Sequence, residues 1–434
     1  MPAEFTQLFN PKSIVVLGAS ELKKNDAACS RDFKLLAENT SKFKGKVIIV
    51  DLSQKLPGAE ANLGKVPKGV DLAVVSLPKE LLAKNLNKLL SKKVKALVLL
   101  GDELDPKQGK VFGGKKIALL GPGSFGVVNT KVGLMAVPDV GMALRGGNIA
   151  VISYGCASTT SIIRLAKSLG VGIGKLASVG ERADGVELGL LRWLSDDKET
   201  SVVCMYVDKI EDGRKFMEAV KEVSKKKPVV VLKGGHTDRI FENILGQSGG
   251  MLARDFGGML GGAEALWKQP EMRGKRVAMI AGLEEEAMLA AGYLSKEGLE
   301  VADPSEEITK KILNKCKGAK MHGWVVAGGA ADAECYRNVV ELLLSDEGVD
   351  GVMVICTRVA MLKPEDCAKI ADATHKSKDK PVVMVVGRGM LDDTMRDSLG
   401  DRTPAYESER VAAAALEMLR LRHEKLQKLA ASDG

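Results

Sequence analysis

The sequence predicts an α/β protein made of three consecutive doubly wound domains, spanning residues 1–142, 143–268 and 269–434. Two observations predict this class. Short runs rich in Val and Ile alternate with segments of helical periodicity, as in parallel sheets whose strands are buried on both faces by crossover helices. The alternation is interrupted at "ALRGGN" (143–148) and "KQPEMRGK" (268–275), whose glycine, proline and charge content is typical of joins between domains.

Each domain contributes its own series of apolar runs, which we interpret as buried strands. The first series is "SIVVLGAS", "KVIIVD", "DLAVVSLP", "KALVLLG" and "KKIALLG". The second is "NIAVIS", "KLASVG", "SVVCMYV" and "PVVVLKG", and the third is "RVAMIAG", "LEVADP", "WVVAGG", "GVMVICT" and "PVVMVVG". Segments such as "KELLAKNLNKLLSKK" have the periodicity of amphipathic crossover helices. The tail "SERVAAAALEMLRLRHEKLQKLAASDG" predicts a long helix.

Composition excludes several classes of protein. No apolar run reaches the roughly 18 residues of a membrane span. Aromatic residues make up 4% of the chain, too few for stacking platforms that bind single-stranded nucleic acid, although the net charge is +8. The seven cysteines are scattered and none forms a CxxC pair, which favours reduced thiols over disulfides or a zinc site. We therefore expect a cytoplasmic protein with no metal site and no nucleic-acid or membrane partner.

Small-residue turns follow several of the predicted strands. In "VVLGASELKK" such a turn would let backbone N–H groups approach a phosphate, although a plain tight turn fits equally well because the GxGxxG spacing is incomplete. In "ISYGCAS" a similar turn precedes an amphipathic helix whose N-terminus would attract an anion. A third glycine turn, "LLGPGSFG", follows the fifth strand.

The order of the predicted domains and the sequence motifs within them together resemble one family, the NDP-forming acyl-CoA synthetases. The chain is similar to the α subunit of ADP-forming acetyl-CoA synthetases, and more distantly to the succinyl-CoA synthetase α chain. The resemblance covers nearly the whole chain. It rests on "LFNPKSIVVLGAS", "GNIAVIS" and "TPAYESERVAAAALEML", and above all on the long stretch from "SVGERADGVELGLL" to "PVVVLKGG".

The resemblance implies a Rossmann-like CoA-binding domain followed by two flavodoxin-like CoA-ligase domains. It implies CoA as the cofactor, and a homo- or hetero-oligomer with an ATP-grasp β-type partner that would handle ATP, ADP and Mg²⁺. The implied CoA-binding residues are Gly18, Ala19, Ser20, Lys23, Asp51, Pro78, Gly121 and Pro122. The implied phosphate loop contains Ser153, Gly155 and Cys156.

The sequence departs from the family at the residue that should carry the phosphoryl group. Where such enzymes have a histidine, this chain has Gln247, in the glycine-rich stretch 234–250 that we expect to form a mobile loop. An amide nitrogen is not a nucleophile, because its lone pair is delocalised. Asp208 aligns with a family glutamate that supports the histidine, and His236 is either a displaced nucleophile or an ordinary loop residue. Glu284, Glu285 and Glu286 stand at a predicted helix start, where they would repel a phosphate.

Three functions remain open on this evidence. The first is a CoA-binding protein of the acid–thiol ligase type that has lost phosphohistidine catalysis. The second is an active acyl-CoA synthetase α-type subunit that works with an ATP-grasp partner. The third is an acyl or carbamoyl transferase built on the same scaffold. The resemblance identifies neither the acyl group nor the partner chain.

Overall fold

A computed structural model describes residues 3–23, 26–101, 117–139, 144–180, 185–235, 239–328, 331–356, 364–374, 379–387, 389–400 and 403–433. The chain divides into two compact units. The first contains residues 1–167, 172–223 and 233–236, and the second contains residues 168–171, 224–232 and 237–434. This division does not test the predicted three-domain boundaries, which stay a prediction. No helix in the described ranges is long and apolar enough to cross a bilayer.

The first unit opens with a five-stranded parallel sheet in the order β2-β1-β3-β4-β5. Its strands are β1 (Ser13–Gly18), β2 (Lys46–Asp51), β3 (Leu72–Ser76), β4 (Ala96–Leu99) and β5 (Ala118–Leu120). The accompanying helices are α1 (Ala3–Phe9), α2 (Ala27–Thr40) and α3 (Lys79–Ser91). All five strands fall in the predicted runs. The interiors of β1, β3 and β4 are buried, as expected where helices cover a sheet, whereas the edge strand β2 is half-buried over residues 47–49.

Five further strands of the first unit lie in the order β10-β8-β9-β6-β7. They are β6 (Val127–Asn129), β7 (Leu134–Ala136), β8 (Ile149–Ser153), β9 (Ile173–Ser178) and β10 (Val202–Val207). The associated helices are α4 (Cys156–Leu169), α5 (Val186–Asp196) and α6 (Gly213–Ser224). Strands β8, β9 and β10 pair in parallel, whereas β6 pairs antiparallel with both β9 and β7. The sequence reading missed β6 and β7, because three-residue strands carry too little periodicity to be recognised.

The second unit contains the parallel pair β11 (Val229–Lys233) and β12 (Met251–Ala253), together with a further sheet. That sheet runs β15-β16-β13-β17-β18-β19, and β14 also pairs with β13. Its strands are β13 (Arg276–Ala281), β14 (Glu300–Val301), β15 (Lys320–Met321), β16 (Val325–Val326), β17 (Gly351–Cys356), β18 (Val382–Val386) and β19 (Ala405–Tyr406). Only β15 pairs antiparallel among the strands described in this sheet.

Eight helices are described in the second unit. They are α7 (Arg239–Gln247), α8 (Phe256–Lys268), α9 (Glu284–Lys296), α10 (Glu306–Lys315), α11 (Ala333–Ser345), α12 (Pro364–Thr374), α13 (Asp393–Leu399) and α14 (Glu409–Asp433). The last of these confirms the long helix predicted from the tail.

Burial on both sheet faces explains why these strands read as unbroken apolar runs. Along β13, Val277 and Met279 join one buried cluster with residues of α9 and α14. Their neighbours Ala278 and Ile280 join a different cluster with residues of α10 and α11. Alternate side chains point to opposite faces of a strand, so helices must cover both faces of this sheet. The predicted α/β doubly wound class is thereby confirmed.

One expectation about cysteine is wrong. Cys316 and Cys335 are joined as a disulfide, with Cα atoms 5.0 Å apart, where the sequence suggested seven reduced thiols. Cys316 follows the end of α10 and Cys335 lies in the first turn of α11. Their separation of 19 residues gives no local signal, since the packing of the two helices is what brings the sulfur atoms together.

Candidate functional site

The carboxyl ends of the first three strands meet at one edge of the first sheet. Gly18 stands beside Asp51 on one side and beside Ser76 on the other in the parallel register. A ligand that lies across the carboxyl edge of a parallel sheet would contact this region. Gly18 and Asp51, two of the predicted CoA-binding residues, are therefore close together in the fold.

The turn after β1 is tightly packed. A Cβ atom on Gly18 would lie 2.2 Å from the Phe33 ring, so glycine is required here by the contact with α2. Ala19 and Ser20 are buried. The Ser20 N–H, predicted to approach a phosphate, donates instead to Asp51 Oδ1 at 2.9 Å. The sequence located the turn correctly, but it could not show that this amide already has an internal acceptor.

Asp51 is the centre of a hydrogen-bond network that joins two turns. Ser20 Oγ donates to Oδ2 at 2.6 Å, and Ser53 Oγ donates to Oδ1 at 2.6 Å. The backbone N–H groups of Ser53, Lys55 and Leu56 donate to the same carboxylate at 2.8–3.0 Å. Burial by itself would raise the pKa of Asp51, but these hydrogen bonds outweigh it and hold the pKa well below its usual range.

The other predicted CoA contacts differ in exposure. Lys23 is exposed on the turn after β1, and Pro78 is half-buried at the N-cap of α3. Gly121 and Pro122 are buried, and the Gly121 N–H donates to Val179 O at 2.9 Å. These two buried residues therefore fix the end of β5 against the end of β9.

A second group of predicted residues gathers where β8 ends. Ser153 is fully buried, and its Oγ lies 3.2 Å from Ser158 Oγ in the first turn of α4. Cys156 is exposed at the start of that helix, and its thiol donates to Gly123 O at 3.3 Å. The structure thus brings the "GPGSFG" turn to the N-terminus of α4, a proximity that the sequence did not reveal.

Asp208 lies at the end of the neighbouring strand β10 and is exposed. Its backbone carbonyl accepts a hydrogen bond from Lys233 Nζ at 3.0 Å, and the same ammonium group donates to Gly234 O at 3.0 Å. The Gly234 N–H in turn donates to Val207 O at 2.7 Å. Lys233 therefore holds the start of the glycine-rich stretch against the end of β10, a role that sequence reasoning missed.

Sequence reasoning also missed two buried polar residues beside this edge. Tyr154 follows Ser153, and Glu187 lies in the first turn of α5. Burial raises the pKa of the Tyr154 phenol well above its usual value, and a hydrogen bond to the Glu187 carboxylate adds to this effect. The signal in the sequence that could have indicated a buried Glu187 is its position at the start of an apolar helix, in "GVELGLL".

Gln247 is the last residue of helix α7, and it is exposed. Where we expected a mobile glycine loop, residues 239–247 are helical. The Gly250 N–H donates to Leu245 O and the Gly249 N–H donates to Gly246 O, the two bonds of a Schellman motif. Gly249 has a φ of +78°, and a Cβ there would lie 2.5 Å from Leu429. This glycine therefore ends a helix and packs closely. His236 lies outside the described residues.

Glu284, Glu285 and Glu286 lie in the first turn of a helix, as the sequence predicted. Helix α9 starts at Glu284, and Glu286 Oε2 accepts a hydrogen bond from the Leu283 N–H at 3.4 Å. His322 Nδ1 lies 3.3 Å from Glu284 Oε1. Carboxylates of the chain itself therefore occupy the helix N-terminus that an anion would otherwise use.

Comparison with known proteins first identifies the class of the central region. Residues 146–266 match the succinyl-CoA ligase like flavodoxin domain. The chain is 29% identical to the acetate–CoA ligase [ADP-forming] II subunit alpha of Pyrococcus furiosus, over 94% of this chain and 95% of that protein. It is 28% identical to the I subunit alpha of the same organism, over 95% and 96% of the two chains.

Solved structures agree with these matches. A protein from Pyrococcus horikoshii OT3 has a TM-score of 0.85 at 27% identity, covering 97% of this chain and 99% of its own. The dinucleotide-forming acetyl-coenzyme A synthetase 1 of Ca. Korarchaeum cryptofilum, solved with phosphate and ADP, has the same fold. Its TM-score is 0.81 at 22% identity, with 99% of each chain covered. The resemblance to α subunits of ADP-forming acetyl-CoA synthetases is confirmed.

Proposed function

We propose that this protein is an α-type subunit of the NDP-forming acyl-CoA synthetase class that binds CoA but forms no phosphohistidine at position 247. The observation that carries the proposal is an exposed Gln247 at the end of α7, in a chain that is similar to such a subunit over 94% of its length. CoA is the proposed ligand of the first sheet. ATP, ADP and Mg²⁺ would be used only through an ATP-grasp partner.

The fold and the relatives support CoA binding. Strand ends that carry Gly18, Asp51 and Ser76 lie side by side at the carboxyl edge of a parallel sheet, where nucleotides bind in such folds. The exposed Lys23 offers a cation to a phosphate at the same edge. Two P. furiosus relatives, matched over nearly their whole length, are named as subunits of acetate–CoA ligases.

The chemistry of the side chain supports the loss of phosphoryl transfer. A neutral imidazole nitrogen attacks an acyl phosphate because its lone pair is available near neutral pH. The carboxamide of Gln247 offers two donors and one acceptor, but no nucleophilic nitrogen. Removing a covalent nucleophile typically costs several orders of magnitude in rate, far more than binding can restore.

An apolar surface on the same helix supports a protein partner. The side chains of Ile240 and Ile244 are 67% and 40% exposed, one helical turn apart on α7. Exposed apolar groups that are grouped on one face are typical of interaction sites. Light scattering and native pull-down test this part of the proposal: a monomer that captures no ATP-grasp chain contradicts it.

Mapping of acid-labile phosphate by mass spectrometry tests the proposed loss of catalysis. The wild-type protein and a Gln247→His variant are incubated with ATP, Mg²⁺, CoA, acyl phosphates and an ATP-grasp partner. We expect no label on the wild type and a label on the imidazole of the variant. Gln247→Asn is the matched control, since it changes the amide without adding a nucleophile.

Two outcomes would contradict the proposal. Label on His236 of the wild type would show that the nucleophile has moved along the chain, and would restore an active ligase. Titration calorimetry that detects no CoA binding at millimolar CoA would remove the CoA site, and would favour a transferase of another kind on this scaffold.

A further inference from the structure

The disulfide of the second unit forms part of the wall of an open cavity. Cys316 and Cys335 both line this cavity, whose volume is about 520 Å³. The two cysteines are otherwise nearly buried, at 2% and 9% exposure. The charges of the wall balance, with two lysines and two carboxylates: Lys315, Lys317, Asp332 and Glu334. A cavity of this size admits a small molecule of either sign, so a small thiol has a route to the Cys316–Cys335 bond.

The two helices that the disulfide joins are also held together by apolar packing. Ile308 and Ile312 of α10 belong to one buried cluster with Val339, Val340 and Leu343 of α11. A reduced cysteine is itself a small side chain that is commonly buried among apolar groups. We therefore expect α10 and α11 to stay packed when the bond is broken, so that reduction does not unfold this part of the chain.

The segment that the disulfide closes has weaker support of its own. Between Cys316 and Cys335 lie β15 and β16, strands of two residues each that pair as an antiparallel hairpin. Strand β16 pairs with β13 at two positions, and Trp324 packs against the core. Short hairpins are marginally stable in water. The order of residues 317–328, here called the hairpin segment, therefore depends on the bond that restricts its two ends.

The hairpin segment contacts the start of helix α9. His322 follows β15, and its Nδ1 lies 3.3 Å from Glu284 Oε1. Glu284 belongs to the glutamate-rich first turn of α9. A looser hairpin segment would take His322 away from this turn. The state of the two cysteines is thereby linked to the carboxylates that occupy the α9 N-terminus.

We propose that Cys316–Cys335 is a thiol-exchange site, at which a small thiol that enters the cavity reduces the disulfide and loosens the hairpin segment. A thiolate attacks one sulfur atom, forms a mixed disulfide with that cysteine, and displaces the other cysteine as a thiolate. A second thiolate attacks the sulfur of the attached small thiol and displaces the remaining cysteine. Two small thiols become one small disulfide, and their two electrons and two protons convert the protein disulfide into two thiols. This site is independent of the proposed CoA site.

Alkylation of the native protein tests whether small thiols reach the bond. Accessible thiols are first blocked, the protein is incubated with millimolar reduced glutathione, and newly formed thiols are labelled with a second reagent and located by mass spectrometry. We expect the second label on Cys316 and Cys335 without denaturant. Cys29→Ser, which removes a cysteine that is already reduced, is the matched control and should react like the wild type. A disulfide that glutathione reduces only after urea has unfolded the chain would overturn the inference.

Hydrogen exchange tests the effect on the hairpin segment. Glutathione should speed the exchange of its amides about tenfold or more, because the bond no longer restricts the two ends of the segment. The amides of Val339, Val340 and Leu343 should keep the rate of the oxidised protein, since apolar packing holds α11. The double variant Cys316→Ser, Cys335→Ser should show the fast exchange both with and without glutathione.

The two measurements decide the inference together. If the double variant fails to fold, the comparison of the wild-type protein with and without glutathione still provides the test. Reduction that leaves the exchange of the hairpin segment unchanged would show that the bond does not control it. Faster exchange throughout α11 would show that the bond holds the helices together, and either result would overturn the inference. Support requires reduction of the native protein together with faster exchange confined to the hairpin segment.

Discussion

Replacing Lys175 with methionine should destabilise the sheet that contains β8 and β9. Lys175 lies on β9 and is 2% exposed, and its Nζ is 2.9 Å from Asp197 Oδ2 and 2.8 Å from Glu199 Oε2. Lys175→Met removes the buried cation that lies between the carboxylates of Asp197 and Glu199. Breaking a buried ion pair costs about 3–5 kcal/mol. Glu199 is 38% exposed and can rehydrate, so we expect the lower end, about 3 kcal/mol.

Hydrogen exchange of the β9 and β8 amides is the appropriate assay. A chain with two compact units is not expected to unfold in one step, so a single unfolding midpoint would mix events. The free energy of local opening at residues 173–178 reports on the perturbed strand directly. Lys131→Met is the matched control, because Lys131 contacts the same Glu199 at 3.0 Å but is 63% exposed. It should cost less than about 1 kcal/mol.

The effect should also depend on pH with a definite sign. The hydrogen bond from Lys175, opposed by burial and assisted by Lys131, lowers the pKa of Glu199 below its usual 4.5. A depressed folded-state pKa contributes stability that is complete above the unfolded value and is lost as pH falls through the folded value. The gap between wild type and Lys175→Met should therefore shrink below about pH 4.5. A loss under 1 kcal/mol, or a gap unchanged at acidic pH, would refute the reasoning.

Two further predictions concern a glycine and the thiols. Gly249→Ala should destabilise the protein more than Gly298→Ala, because both glycines have φ near +79° but only at Gly249 would a Cβ lie 2.5 Å from Leu429. Hydrogen exchange of the neighbouring amides should show a free energy of local opening about 1 kcal/mol lower for Gly249→Ala than for Gly298→Ala. Equal losses would show that the contact relaxes. Alkylation followed by mass spectrometry should modify the exposed Cys156 first and spare Cys204 and Cys356, because burial raises the pKa of both buried thiols, that of Cys204 to about 12. Early labelling of Cys204 would contradict its burial.

The sequence determined the fold class, because a parallel sheet buried on both faces needs apolar residues at consecutive positions. Runs such as those of β1, β3 and β13 are visible without any structure, and the long C-terminal helix is equally plain in the periodicity of its segment. The short strands β6, β7 and β12 were not visible. Three residues are stabilised as strands by their neighbours in the sheet and not by a pattern of their own.

The sequence also located Gln247 and the turns near Gly18 and Ser153, since residue identity and distance from a strand end are local properties. The expectation that the glycines of residues 234–250 form a mobile loop was wrong for residues 239–250. The stretch before Gly250 was expected to swing, whereas a helix and its Schellman cap occupy it, because Gly249 is held by backbone hydrogen bonds and by Leu429, a residue distant in the chain.

Tertiary structure alone decided how the polar groups are used. Whether Asp51 faces a ligand or is saturated depends on where the turn of Ser20 lies relative to that of Ser53, more than 30 residues away along the chain. The same holds for Tyr154 with Glu187 and for the disulfide of Cys316 with Cys335. A sequence fixes which donors, acceptors and charges exist, but burial and distance set their partners and pKa values, and both arise only when distant segments pack together.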